Sequence, residues 1–91
     1  MTDDNSHVDD YSPTAEEQLD ALEVGPDVDL YNAIIQACEL IFLAPEIAQN
    51  LSTAFITMDG IVFRLPVAGY PPYKVFWSTA GPRIEAVFPH E

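Results

Sequence analysis

The first 29 residues of the chain contain no lysine or arginine, although they contain ten aspartates and glutamates. Arg64, Lys74 and Arg83 are the only basic residues, and the formal net charge is −12 at pH 7. Proteins that bind nucleic acids usually place several lysines or arginines on the phosphate backbone. The charge therefore disfavours direct nucleic-acid binding and favours a protein as partner.

Cysteine is also scarce, since Cys38 is the only one in the chain. A single cysteine excludes an intramolecular disulfide and argues against a four-ligand zinc site. We expect neither a metal ion nor a cofactor. An unpaired thiol fits a reducing cytoplasm, and Cys38 is predicted to be buried because its neighbours are apolar, namely Ile34, Ile35, Ile41 and Phe42.

The sequence lacks a leader-like segment and a long apolar run. Met1 is followed by threonine and two aspartates, where a leader would have a basic and then an apolar stretch. The longest nearly apolar run, from Leu40 to Pro45, is far shorter than the roughly 20 residues that cross a bilayer. We therefore expect a cytoplasmic protein that does not enter a membrane.

The acidic residues divide the chain into two parts. Residues 1–26 are predicted to form an acidic, largely disordered extension with a possible short helix over residues 14–23. Leu19 and Leu22 give this helix a thin apolar stripe, so it must dock on the rest of the chain, dock on a partner, or fray. Residues 27–91 are predicted to form one compact domain.

Two helices are predicted at the start of that domain. Apolar residues recur every three or four positions from Val28 to Leu43, as on one face of a helix. Pro45 suits the first turn of a second helix, which is expected to end near Thr57. The second helix is predicted to direct four residues inward: Ile47, Leu51, Ala54 and Phe55.

Further along the chain, apolar residues alternate with polar ones, which is typical of strands with one buried face. Residues 61–67 are predicted to form one strand, and residues 73–78 and 83–88 a hairpin. Lys74 is expected opposite Glu85, a pairing that directs inward Val75, Trp77, Ile84, Ala86 and Phe88. The predicted fold is α+β, with two helices packed on a three-stranded antiparallel meander.

Several apolar segments follow one another in a distinctive order. The helix end LSTAF (51–55) precedes Gly60 and the strand IVFRL (61–65), and YKVFW (73–77) and RIEAVFPH (83–90) follow. This order resembles the RelE/ParE superfamily of bacterial toxin-like domains over about residues 28–90. The YKVFW strand is similar to the Tyr-Arg-Val-x-Tyr strand of that family, and the last segment is similar to its final apolar strand.

The resemblance implies a protein of the toxin–antitoxin type. Family members that cleave RNA on the ribosome use basic, tyrosine or histidine side chains on the sheet and last strand. The matching positions are Arg64, Lys74 and His90, of which one would stabilise phosphate charge and another would act as acid or base. The strongly basic surface of those members is missing here, and Lys74 stands where arginine is common. We therefore expect weak or no nuclease activity, and action mainly through protein contact.

Two surfaces are candidates for that contact. Leu19 and Leu22 can anchor the acidic segment on a partner, and Tyr70 and Tyr73 flank a stiff loop that offers aromatic contact area. The alternative function is a non-catalytic acidic interaction module or inhibitor that binds a basic protein, with mimicry of a nucleic acid as one way to do so. Whether the chain is an enzyme stays open, although it contains no nucleophile triad, phosphate-cradling glycine loop, HExxH or CxxC motif.

Overall fold

Three helices precede a four-stranded antiparallel sheet in the computed structural model, which describes residues 10–58, 60–79 and 82–90. The strands lie in sequence order across the sheet. The α+β class is thus confirmed, whereas the sheet has one strand more than predicted. The elements are α1 (Pro13–Glu23), α2 (Val28–Leu43), α3 (Pro45–Leu51), β1 (Thr53–Thr57), β2 (Gly60–Pro66), β3 (Tyr73–Ser78) and β4 (Arg83–Pro89).

Helix α1 packs on β4, the last strand of the sheet. Ser12 caps the helix by accepting a hydrogen bond from the Ala15 N–H at 3.0 Å, and its own N–H donates to the Ile84 carbonyl at 2.9 Å. The Gln18 side chain accepts a further hydrogen bond from the Val87 N–H. The helix therefore docks on the rest of the chain and covers the free edge of β4. Residues 1–9 of the predicted extension lie outside the described residues.

Helix α2 supplies the apolar layer over the sheet. Asp27 caps it by accepting a hydrogen bond from the Leu30 N–H at 3.0 Å. Its fully buried residues recur at helical spacing and include Cys38, which is 1 % exposed. Burial raises the pKa of the Cys38 thiol to about 12, because the thiolate would lose its hydration. The remaining buried residues of α2 are Leu30, Ile34 and Ile41.

The prediction of a second helix that ends near Thr57 is wrong. Helix α3 ends at Leu51, and Thr53–Thr57 forms β1, which pairs with β2 in an antiparallel hairpin. Threonine, phenylalanine and isoleucine dominate this segment and favour strands over helices. Only one side chain of α3 is buried, that of Ala48, while Ile47 and Leu51 are more than half exposed.

The pairing of the last two strands also differs from the prediction. Lys74 lies opposite Phe88 and not opposite Glu85. Phe76 pairs with Ala86 and Trp77 with Ile84, so Glu85 has no residue opposite it and forms a bulge. A bulge reverses the side-chain alternation beyond it. As a result Ile84 and Val87 are both buried, while Phe88, which was predicted to point inward, lies on the other face.

The core lies between the helices and one face of the sheet, which we call the inner face. Phe63, Leu65, Val75 and Trp77 of this face are each at most 8 % exposed. The Trp77 indole N–H donates to the Ser52 hydroxyl at 3.1 Å, which satisfies the polar atom of a fully buried ring. The opposite, outer face has no helix packed on it among the described elements. None of the described helices combines the length and the apolar character needed to span a membrane.

Candidate functional site

The outer face of the sheet gathers one arginine, one histidine and three phenylalanines. Strand alternation places them there, because their strand neighbours, among them Phe63, Leu65 and Trp77, belong to the core. Each strand contributes one residue to the group, and the histidine is the residue that follows β4. We call this group the Arg64 cluster and define it as Phe55, Arg64, Phe76, Phe88 and His90.

Arg64 is held at the centre of the cluster by two contacts. Its Nη1 atom lies 3.1 Å from Nδ1 of His90, and its guanidinium carbon lies 4.7 Å from the centroid of the Phe55 ring. A guanidinium only donates hydrogen bonds, so Nδ1 of His90 is the acceptor in this contact. The His90 N–H donates to the Pro72 carbonyl at 2.6 Å, which fixes the histidine beside the sheet.

The aromatic rings of the cluster form an ordered array. Phe76 and Phe88 are stacked with centroids 4.7 Å apart and an interplanar angle of 11°. Phe55 is stacked on the other side of Phe76 at 6.5 Å. The His90 ring stands nearly perpendicular to all three, at 5.5 Å from Phe76, 6.0 Å from Phe88 and 6.5 Å from Phe55. Such offset and edge-to-face contacts hold the rings in place before any partner arrives.

Of the three predicted catalytic residues, the structure brings two together. Arg64 and His90 are in contact, whereas the Lys74 ammonium donates to the Pro71 carbonyl at the start of β3. Lys74 lies between Pro66 and Phe88 in the sheet, on the same outer face as Arg64. Its charged atom is thus engaged by the loop that precedes β3.

All three basic side chains of the chain belong to the outer face. Arg83 pairs with Ser78 across the hairpin, and its Nη1 atom lies 4.0 Å from a carboxylate oxygen of Glu85. Within the described ranges no carboxylate lies within ion-pair distance of Arg64. The acidic residues of α1 lie on the helical side of the sheet, on the other side from these basic side chains.

The four predicted partner-binding residues contribute to packing. Leu19 is 9 % exposed and belongs to the core, and Leu22, Tyr70 and Tyr73 are half-buried against it. The loop between the two tyrosines is closed by the Tyr73 N–H, which donates to the Tyr70 carbonyl at 2.8 Å. Burial, together with the nearby carboxylates Asp27 and Asp29, raises the pKa of Tyr70.

Phe55 and Phe88 are the site residues that sequence reasoning missed. Phe55 was assigned to the inward side of a helix, although the strand-favouring run Thr53–Thr57 was a usable signal against it. Phe88 was assigned inward because the bulge at Glu85 has no sequence signal. Because the sequence did not reveal that Phe55 and Phe88 lie on the outer face, it identified Arg64 and His90 only as two separate positions and not as parts of one cluster.

The arrangement offers hydrogen-bond donors and ring surface, with no group of three metal-ligating side chains in the described part of the chain. Comparison with protein-family models, with curated proteins and with solved structures finds no match to the chain.

Proposed function

We propose that the protein is a small binding domain of the toxin–antitoxin type, which holds an acidic and apolar segment of a protein partner on the Arg64 cluster. The RelE/ParE part of this proposal rests on the sequence resemblance alone. The observation that carries the binding mode is the position of Arg64, which lies among ordered aromatic rings with no carboxylate partner in the described residues.

Arg64 has the chemistry to receive a carboxylate. A guanidinium carries five N–H donors in a fixed fork, and His90 and Phe55 engage only part of it. A carboxylate of the partner can take two parallel hydrogen bonds from the donors that are left. Because the other two basic side chains also lie on this face, an acidic segment is attracted to this side of an otherwise acidic molecule.

The three phenylalanines add an apolar surface beside that charge. Their rings are half-buried, so part of each ring is available for contact with a leucine, methionine or aromatic side chain. An arginine surrounded by ordered aromatic rings is the residue combination that dominates the binding energy of many protein interfaces. The partner segment is therefore expected to carry an aspartate or glutamate next to an apolar residue.

Ribonuclease activity has less support from the same geometry. Charge stabilisation and proton transfer on a phosphate need their groups within hydrogen-bond reach of one substrate position. Lys74 is bonded to the Pro71 carbonyl, which leaves Arg64 and His90 without a third basic group, in a protein of net charge −12. The proposed action is binding, with weak or no nuclease activity.

The alternative, an acidic module that binds a basic partner, is supported by helix α1. Its apolar residues Ala15 and Leu19 are used in the core, so α1 presents a carboxylate-rich side to solvent. Removal of residues 1–26 would take away a docked helix, which makes deletion a poor test. Neutralisation of three exposed carboxylates, Glu16→Gln, Glu17→Gln and Asp20→Asn, leaves the docking surface in place.

The test combines growth and partner retention. The full chain and its variants are expressed from an inducible promoter in a bacterial host, and retained proteins are compared at low and moderate salt. Arg64→Ala is expected to abolish growth inhibition and retention, and Arg64→Lys to weaken both because lysine lacks the fork. Arg83→Ala is the matched control, since it removes one outer-face charge outside the cluster. It is expected to leave growth inhibition unchanged and to weaken retention slightly, at low salt only, because long-range attraction is screened at moderate salt.

Three outcomes would contradict the proposal. Retention that survives Arg64→Ala would exclude the cluster as the binding site. Loss of retention in the neutralised α1 variant alone would assign the function to the acidic module. Absence of growth inhibition from the unmodified chain would remove the toxin part, while Arg64-dependent retention would still support the binding mode.

A further inference from the structure

The helical side of the molecule carries an apolar groove that is separate from the Arg64 cluster. The groove lies between α2, the end of α3 and the end of β2, and its volume is about 260 Å³. Helix α2 contributes Ala33 and Ala37, one turn apart, whose small side chains leave room in the groove. The apolar residues that line it include Ala33, Ala37, Leu40, Leu51, Leu65 and Ala68.

Large exposed side chains extend this apolar surface along α3. Leu51 is 58 % exposed, and Ile47, one turn earlier in the helix, is 55 % exposed. Leu43, which is 84 % exposed, lies with Ile47 at a second depression of about 370 Å³. Apolar side chains exposed together in this way are typical of surfaces that bind another protein. We call this region the α2–α3 surface and define it as Ala33, Ala37, Leu40, Leu43, Ile47 and Leu51.

The charged side chains that border the α2–α3 surface are carboxylates. Glu46 lines the second depression, and the exposed Asp29 lies one turn before Ala33 on the same face of α2. All three lysines and arginines of the chain are among the described residues, and none of them lines the groove or the depression. The surface is therefore apolar along its length and negative at both ends.

We propose that the α2–α3 surface binds a basic amphipathic helix of another protein. The apolar side chains of that helix enter the groove, and lysines or arginines at its two ends reach Asp29 and Glu46. From Asp29 to Leu43, which lies beside Glu46, α2 extends about 20 Å at 1.5 Å per residue. A partner helix of about four turns spans that distance.

Charge selects this partner over the other occupants of such a surface. A second copy of the chain would bring its own carboxylates against Asp29 and Glu46, at a net charge of −12 on each copy. An anionic lipid surface or a nucleic acid would be repelled for the same reason. The inference does not depend on the function proposed above, because it involves neither the outer face of the sheet nor the carboxylates of α1.

The test uses the full chain and synthetic helical peptides of about 18 residues as probes. The basic probe has leucines along one helical face and two lysines at each end. One counterpart has glutamates in place of the lysines, and the other has the same composition with its leucines spread around the helix. Fluorescence anisotropy measures the dissociation constants, and the basic probe is expected to bind at least about tenfold more tightly than either counterpart.

One pair of variants tests the position of the contact. Leu51→Lys is expected to weaken binding of the basic probe at least about tenfold, because it places a positive charge in the groove. Val24→Lys is the matched control, since it makes the same change of charge at a position that is 84 % exposed and follows α1. It is expected to weaken binding less than about twofold. Far-UV circular dichroism checks that each variant is folded.

A second pair tests the carboxylates without a change in the groove. Asp29→Asn combined with Glu46→Gln is expected to weaken binding of the basic probe about fivefold, and Glu16→Gln combined with Glu17→Gln less than about twofold. Arg64→Ala is expected to leave this binding unchanged, which separates the result from the test of the Arg64 cluster. Equal losses within either pair would show that only the net charge matters and would overturn the proposal. Equal binding of the three probes, or no binding of the basic probe, would also overturn it.

Discussion

The two faces of the sheet serve different purposes, although the same strands build both. Inner-face residues such as Val75 and Trp77 are fully buried under the helices. Their outer-face neighbours, such as Phe76, are half-buried and pack against other rings of the sheet and His90. The comparison teaches that stability depends mainly on one face, which leaves the other free to carry a binding site.

Two neighbouring residues of β3 allow a test of this difference between the faces, and the test has the largest expected effect on stability. Trp77 and Phe76 are consecutive aromatic residues that face opposite sides of the sheet. Trp77→Ala is expected to lower the free energy of unfolding by about 3–5 kcal/mol, because it leaves a cavity in the core and the Ser52 hydroxyl without its donor. Phe76→Ala is expected to cost less, about 1–3 kcal/mol, because it loses three ring contacts but leaves no closed cavity.

Urea unfolding followed by circular dichroism measures both variants. Fluorescence is unsuitable, since Trp77 is the only tryptophan of the chain. For a domain of this size, a loss of 3–5 kcal/mol is a large part of the total stability of about 5–15 kcal/mol. Equal losses for the two variants would show that the outer face is as important for folding as the core.

The second test uses pH, because burial keeps the thiol of Cys38 protonated in the folded chain. Its pKa rises from the ordinary value of 9.0 to about 12, and that of Tyr11 rises from 10.0 to about 12, each mainly through burial. Between pH 9 and 12 the unfolded chain therefore loses these protons first. Stability is expected to be complete below pH 9 and to fall above it. The buried Cys38 contributes a loss of up to about 1.4 kcal/mol per pH unit above its unfolded pKa, and the more exposed Tyr11 contributes less.

Unfolding by urea at pH 8, 9, 10 and 11 measures this slope. Cys38→Ala is the matched variant, and its stability is expected to depend less steeply on pH than that of the unmodified chain, whatever its stability at pH 8. Parallel curves for the two proteins would show that the thiol ionises as readily in the folded chain as in the unfolded one.

The difference between the faces also explains what the sequence could predict. Burial on one side produces regular spacing, so the helix over Val28–Leu43 and the inward positions of Val75, Trp77 and Ile84 were correctly predicted. Residues 51–55 led to the wrong prediction of a helix, because Leu51, Ala54 and Phe55 also fit helical spacing. The strand preference of the following residues was given less weight than that spacing. The bulge at Glu85 depends on the hydrogen bonding of two strands, for which the local sequence offers no signal.

For the candidate site, the sequence predicted which charged residues take part better than it predicted how the site is arranged. Arg64 and His90 were singled out through a resemblance, and the structure places them in contact. Phe55 and Phe88 were assigned to the core, because an apolar residue on an uncovered sheet face has the same composition signal as a buried one. The sequence also did not reveal that β1 is an uncharged strand at the edge of the sheet, because this segment was predicted to be part of a helix.

The smallest effect is expected for the stability of Arg64→Ala, and it decides whether the binding test can be interpreted. Arg64 is half-buried and makes one hydrogen bond and one cation–π contact, which contribute about 1 kcal/mol or less at such a position. The variant is therefore expected to unfold within about 1 kcal/mol of the unmodified chain in the same urea assay, as Arg83→Ala is. A loss above about 2 kcal/mol would mean that Arg64 is needed for the fold. A small loss combined with lost partner retention would separate the two faces of the sheet by function, because the inner face would then keep the chain folded while the outer face binds.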